Sequence, residues 1–215
     1  MATKIQIKAA TPGFPRQLKW NDYKWVDQSP IPPFEALTGS SYKVTQWGYT
    51  LGTAPNDRRG SYFVDPLKIT VSFIADSSWA VPSARNNPRL LAHEQGHFDI
   101  TGLIARDFAT RVLDLRVYGP EMFNANDPDE GVSRLDKKVK RISQRMGALW
   151  DFLQQGVDCL YDKDTGHGND QQAQRDWSAL LNHIKHFNLG FEETLVARGF
   201  LRIVSDPPDG LPTYS

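Results

Sequence analysis

One stretch constrains this chain more than any other: His93-Glu94-Gln95-Gly96-His97. Two histidines four apart on an α-helix stand one turn apart on the same face, so both imidazoles can grip one ion. A glutamate directly after the first histidine sits beside that ion without binding it, where it can take a proton from a metal-bound water. With 5 His and 6 Glu in 215 residues, a chance match to this pattern is expected roughly 0.003 times. The pattern needs a helix, and one is well marked. Asn87 suits an N-cap and Pro88 the first helical position; the run then continues to Val117, with Gly119-Pro120 as the stop. Gly96 and Gly102 each cost this helix roughly 1 kcal/mol against alanine. Gly96, between the motif residues, is expected to let another segment approach closely.

The rest of the chain bounds the fold. Its length fits one domain, 1–215, with a substantial core. Residues 1–85, broken by Pro12, Pro15, Pro30, Pro32 and Pro33, read as mostly β, with extended stretches at 17–25, 42–51 and 68–75. A polar turn at 56–60 predicts a hairpin or meander. Trp20, Trp25, Trp47 and Trp79 are read as ordinary core and rim aromatics, with a cleft lining as the alternative. Residues 86–188 read as helical. Leu91, Glu94, Phe98, Thr101, Ala105, Phe108, Val112 and Leu115 form one seam of the first helix. Asp127, Pro128 and Glu130 start a second, spanning 129–160, on which Lys137, Lys138, Lys140 and Arg141 make a solvated face. A third helix is expected over 169–188, and the tail, 189–215, holds a short helix and a strand at 200–204. The fold class is α+β: an N-terminal antiparallel sheet region followed by a long motif helix packed with two further long helices.

Charge is balanced, with 25 basic and 25 acidic residues. This argues against nucleic acid as a partner, whose binders carry a basic footprint. No apolar run reaches the length of a membrane span. The first residues, Met1 to Lys8, lack the apolar core of a signal peptide, so the expectation is a cytoplasmic protein or one whose leader is absent from this chain. Cys159 is alone, cannot form an intramolecular disulfide, and reads as a small core residue.

A catalytic zinc takes three protein ligands and keeps one position open. If the first two long helices form a tight antiparallel hairpin, the end of the second returns to the level of the motif. The chain then enters Tyr161-Asp162-Lys163-Asp164-Thr165-Gly166-His167-Gly168. His167, between two glycines, is the expected third ligand, with Asp162 or Asp164 in the same loop as alternatives. Ile100 and Leu103 stand where a metzincin needs glycine and histidine. Glu121 lies roughly 36 Å along a continuous helix from His97, out of reach. His183 and His186, on the third helix, read as polar or interface histidines. Tyr161 is either an oxyanion donor or a packed tyrosine at a helix end.

These two blocks carry a resemblance. Residues 90–100 around the motif, residues 161–168, then Gln172 and Trp177, and Phe73 with Ser78-Trp79 before the helix, are similar to a family of bacterial predicted secreted zinc-dependent proteases, a domain of unknown function. The likeness covers about residues 60–185. It implies a zincin-like fold, a Zn2+ cofactor, peptidase activity on a protein or peptide substrate, and a secreted or periplasmic location. In that reading Glu94 is the general base and His93, His97 and His167 hold the metal. The alternatives are a zinc-binding scaffold without catalysis, or a hydrolase of non-peptide amides such as cell-wall crosslinks. The oligomeric state is left open.

Overall fold

In a computed structural model of the chain, residues 2–53, 60–118, 128–154, 159–207 and 210–215 are described. The architecture is α+β, arranged around one buried helix, α2 (Pro88–Leu113). Asn87 caps it by accepting from the Leu90 amide at 3.0 Å, and Pro88 takes the first helical position, as the sequence predicts. From Phe98 to Ala109 the helix is buried on all sides, so the expected single seam is instead a fully enclosed rod.

The charged groups buried along this stretch are partnered. Asp99 meets Lys185 and Gln95. Arg106 donates to the carbonyls of Ile184 and Leu189. Asp107 accepts from the amides of Phe191 and Glu192. Burial without such partners would cost each group several kcal/mol, of order 1–3 even for a neutral one.

The other elements wrap this rod. A short helix, α1 (Lys4–Ala10), opens the chain with a capping box between Thr3 and Gln6 and buries Ile7 and Ala10. It lies in the part read as β; seven residues are too few to show a helical period among the prolines that follow. Strands β1 (Lys24–Trp25) and β2 (Ala36–Leu37) flank β5 (Trp79–Ala80), with β1 parallel to β5 and β2 antiparallel, so this small sheet is mixed. The main β feature is an antiparallel hairpin, β3 (Ser40–Thr53) with β4 (Gly60–Phe73), which is paired end to end and longer than the expected strands. The turn residues 56–59 lie outside the described residues. Trp79 is buried, Trp20 and Trp25 pack against the core, and Trp47 is exposed.

Helix α2 stops four residues before the expected Val117. Arg116 donates to the carbonyls of Leu113 and Leu115, both at 2.7 Å, and so satisfies the open helix end. Val117–Tyr118 then forms β6 by pairing with Tyr62 and Ser61 of β4. Gly119, Pro120, Glu121 and Asp127 lie outside the described residues.

The second long helix, α3 (Pro128–Gln154), buries Leu135, Val139, Met146, Leu149 and Leu153 and exposes its lysine run. Instead of continuing to residue 160, the chain begins a separate one-turn helix, α4 (Leu160–Thr165), with Cys159 at its N-cap. Next come α5 (Gln171–Phe187), capped by Asp170, then α6 (Phe191–Ala197) and a terminal hairpin, β7 (Ile203–Ser205) with β8 (Thr213–Tyr214). No helix among the described residues is long and apolar enough to cross a membrane.

Candidate metal centre

The site begins on the second turn of α2. His93 and His97 present their imidazoles at 84° with ring centroids 4.8 Å apart, and their Nε2 atoms are 3.3 Å apart. The third group comes from α4. Asp162, on its first turn, places Oδ1 3.1 Å from His93 Nε2 and 3.0 Å from His97 Nε2. These three donor atoms form the group of His, Cys, Asp or Glu side chains that could hold a metal ion among the described residues.

Three donors at bonds of 2.0–2.1 Å in a tetrahedral sphere stand about 3.3 Å from one another. The observed triangle is close to that. Asp162 Oδ1 is buried and touches two imidazole nitrogens, yet is aligned with neither as a hydrogen bond, and so is left without a partner. Three donor atoms of these types, this close together, fit a cation.

Electrostatics agree. Burial would raise the Asp162 carboxyl, but the contacts with His93 and His97 outweigh it and hold the group far below the usual carboxylate range. Burial would likewise push the His97 imidazole toward neutrality, but Asp162 and then Glu94 overcome it and raise its affinity for a proton. Asp162 is therefore held as a carboxylate facing both imidazoles.

Each donor is held from behind. Tyr161 is fully buried beneath both histidines: its ring stacks on His93 at 5.0 Å and 9°, and meets His97 edge-on at 4.9 Å. It reaches that place because Gly96 has no side chain, as the motif's glycine suggested; a Cβ there would lie 2.0 Å from the Tyr161 hydroxyl. Gly168, with φ +81°, closes over His93 in the same way. His93 Nδ1 lies 3.1 Å from Gln174 Oε1 on α5. The Cys159 thiol donates to the other Asp162 oxygen, Oδ2, at 3.1 Å. Burial, then that carboxylate, pushes the thiol pKa up to about 12, so it remains a donor.

The cavity over the donors has a volume of about 680 Å³ and is also lined by Glu94, residues 33–40, Trp150 and Gln154. Glu94 is buried and its Oε2 has no hydrogen-bond partner. An acidic oxygen without a protein partner beside the donor triangle is placed to handle a proton.

Two residues singled out by sequence stand outside the donor group. His167 follows the left-handed turn that ends α4, has φ 53° itself, and turns outward to lie edge-on against Phe34 at 4.8 Å. It lines the cavity half-exposed, with Nδ1 3.7 Å from Asp162 Oδ1, but is not one of the three grouped donors. Tyr161 takes the packed role: its hydroxyl donates to the His93 carbonyl at 3.1 Å, and it is not among the cavity-lining residues. Asp164 accepts from the Trp177 indole and Asp170 caps α5, so both are engaged elsewhere.

The hairpin geometry that singled out His167 also slips. Gln154 reaches the His97 carbonyl, and Trp150 reaches Thr101, each about one turn or more further along α2 than a tight hairpin gives. The link between the helices carries β6, which pairs with β4.

Sequence reasoning missed Gln174 altogether, because a glutamine on an amphipathic helix carries no signal of its own. It gave Asp162 second place because the separate helix α4 was not visible. No family model, curated protein or solved structure matches this chain. The reading of the site therefore rests on the chain's own residues.

Proposed function

We propose that this protein is a zinc-dependent metallopeptidase with a zincin-like centre, in which His93, His97 and Asp162 hold the metal. The observation that carries the proposal is the convergence of three donor atoms beside the unpartnered Oε2 of Glu94 in one cavity. A bound zinc supplies a Lewis acid and lowers the pKa of water at the site. Glu94 accepts the proton of the attacking water and delivers it to the leaving amine.

The cavity wall suits an extended peptide. The Glu35 carbonyl accepts from the Val81 amide at 2.9 Å and the Gly39 carbonyl from the Ile74 amide at 2.8 Å. By the two-residue period of a strand, Ala36 and Thr38 turn their backbone groups to the opposite edge. Strand β2 is an edge of its sheet and lines the cavity, so a substrate can add there as a further strand. Strand β4, by contrast, is bound to β3 on one side and to the Pro12 carbonyl, through Val71, on the other.

A second reading, a zinc-binding module without catalysis, is favoured by the closeness of His167 to Asp162. If His167 joined the other three donors, the sphere would close.

One experiment separates them. Zinc-loaded wild type and Glu94→Gln are incubated with unfolded casein and a peptide library, and products are read by mass spectrometry. Cleavage by wild type, at least 100-fold slower in Glu94→Gln at equal zinc content, is expected. Zinc uptake with no cleavage by either protein would overturn the peptidase reading and leave the binding module.

A further inference from the structure

The network behind His93 leaves little freedom in where its protons lie. Thr165 Oγ1 donates to the Tyr161 carbonyl at 2.7 Å, so the face it turns to His93 Nδ1, at 3.3 Å, is an acceptor. The Tyr161 hydroxyl donates to the His93 carbonyl at 3.1 Å, with Gln174 Oε1 a longer second acceptor at 3.4 Å. It then accepts from Gln174 Nε2 at 3.0 Å. That amide nitrogen also donates to Ser178 Oγ at 3.2 Å. With both donors of Gln174 committed, its Oε1 is the atom that faces His93 Nδ1, at 3.1 Å. Both neighbours of Nδ1 are therefore acceptors, and Nδ1 carries the proton. Nε2 is left with its lone pair, and it is the nitrogen that meets Asp162 and His97.

We infer that Gln174 and Tyr161 are positioning residues that lock His93 in the Nδ1-protonated tautomer and so prepare its Nε2 as a metal ligand. This rests on the zinc reading above. Neither residue is one of the grouped donors; their hydrogen bonds act through His93. Gln174 fixes the proton. Tyr161 fixes Gln174 and, through the parallel stack, the plane of the ring. Both are buried, so water does not offer a substitute acceptor. The device depends on Gly96, which alone lets the hydroxyl reach the α2 backbone.

The test uses the full chain, zinc itself as ligand, and competition with a chromophoric chelator. Removing an outer partner of a metal-bound histidine weakens affinity by about 10–100-fold. That loss is expected for Gln174→Leu, whereas Gln174→Glu, which keeps an acceptor, should restore affinity to within about tenfold of wild type. In 15N-histidine-labelled, zinc-loaded protein, His93 should show a slowly exchanging Nδ1 proton, and Gln174→Leu should lose its protection. If Gln174→Leu does not fold, Tyr161→Phe, which keeps the ring and frees Gln174, should show the same weakening in smaller degree.

Unchanged zinc affinity in Gln174→Leu, or in Tyr161→Phe where that stands in, would overturn the inference, as would a wild-type His93 without the Nδ1 proton. Wild type that takes up no zinc fails differently: it removes the metal reading itself.

Discussion

The hydroxyl of Tyr161 occupies the space beside α2 where a side chain on Gly96 would begin, 2.0 Å from the ideal Cβ position. The first prediction follows from that contact. Gly96→Ala gains roughly 1 kcal/mol of helix propensity. It also drives a carbon into a buried ring fixed by hydrogen bonds, and overpacking of that kind costs about 1–3 kcal/mol, with about 1 more for each bond lost. The net expectation is destabilisation by about 1–3 kcal/mol, measured by urea unfolding. In a Tyr161→Phe background, where the clashing oxygen is gone, the same substitution should cost less. A Gly96→Ala protein as stable as wild type would show that the Tyr161 contact is not what the glycine serves.

The second prediction assigns the third ligand. Wild type should bind about one zinc per chain, as a catalytic site does. Asp162→Ala should weaken binding by more than the 10–100-fold typical of an outer partner, because it removes a donor outright. His167→Ala should stay within about tenfold of wild type, since its imidazole packs on Phe34 outside the donor triangle. Elemental analysis and chelator competition on the three proteins decide it. The reverse order of losses would make His167 the ligand.

The third concerns pH. Burial raises the Asp107 carboxyl from its ordinary value to about 6, although the Phe191 and Glu192 amides hold it down in part. An acid whose pKa is higher in the folded than in the unfolded chain binds more protons when folded, so its ionisation works against folding. The stabilisation is complete below the unfolded value, near pH 4, and is lost as pH rises through about 6. Its size is on the order of 3 kcal/mol. Chemical unfolding at pH 4 and pH 7 should therefore show wild type losing more stability, or gaining less, over that interval than Asp107→Asn. Equal changes in the two proteins would show that Asp107 titrates in its normal range.

The placement of the motif residues was legible from local sequence because it is a local matter. His93, Glu94 and His97 share one helix, so a four-residue spacing and a good cap at Asn87 suffice to align them. The same holds for α3 and α5, whose apolar periods are long, and for the β3–β4 hairpin, although its strands run further than alternation alone marks. Even Gly96 announced a close approach, because a glycine in mid-helix is costly without one.

The tertiary structure decided whatever depends on how separate segments meet. Whether Asp162 or His167 faces the histidines turns on α4 being its own one-turn helix, whose start puts residue 162 inward and whose left-handed end turns residue 167 out. Gln174 enters the site from a helix 81 residues beyond His93, and no local pattern records which face of α5 would meet α2. The end of α2 was likewise set from outside, by Arg116 on its last carbonyls and by β4 taking up Val117 and Tyr118. Periodicity along a chain reports which residues share a face. It carries no information on which faces pack together, because that is fixed by long-range burial and hydrogen bonding between segments distant in sequence.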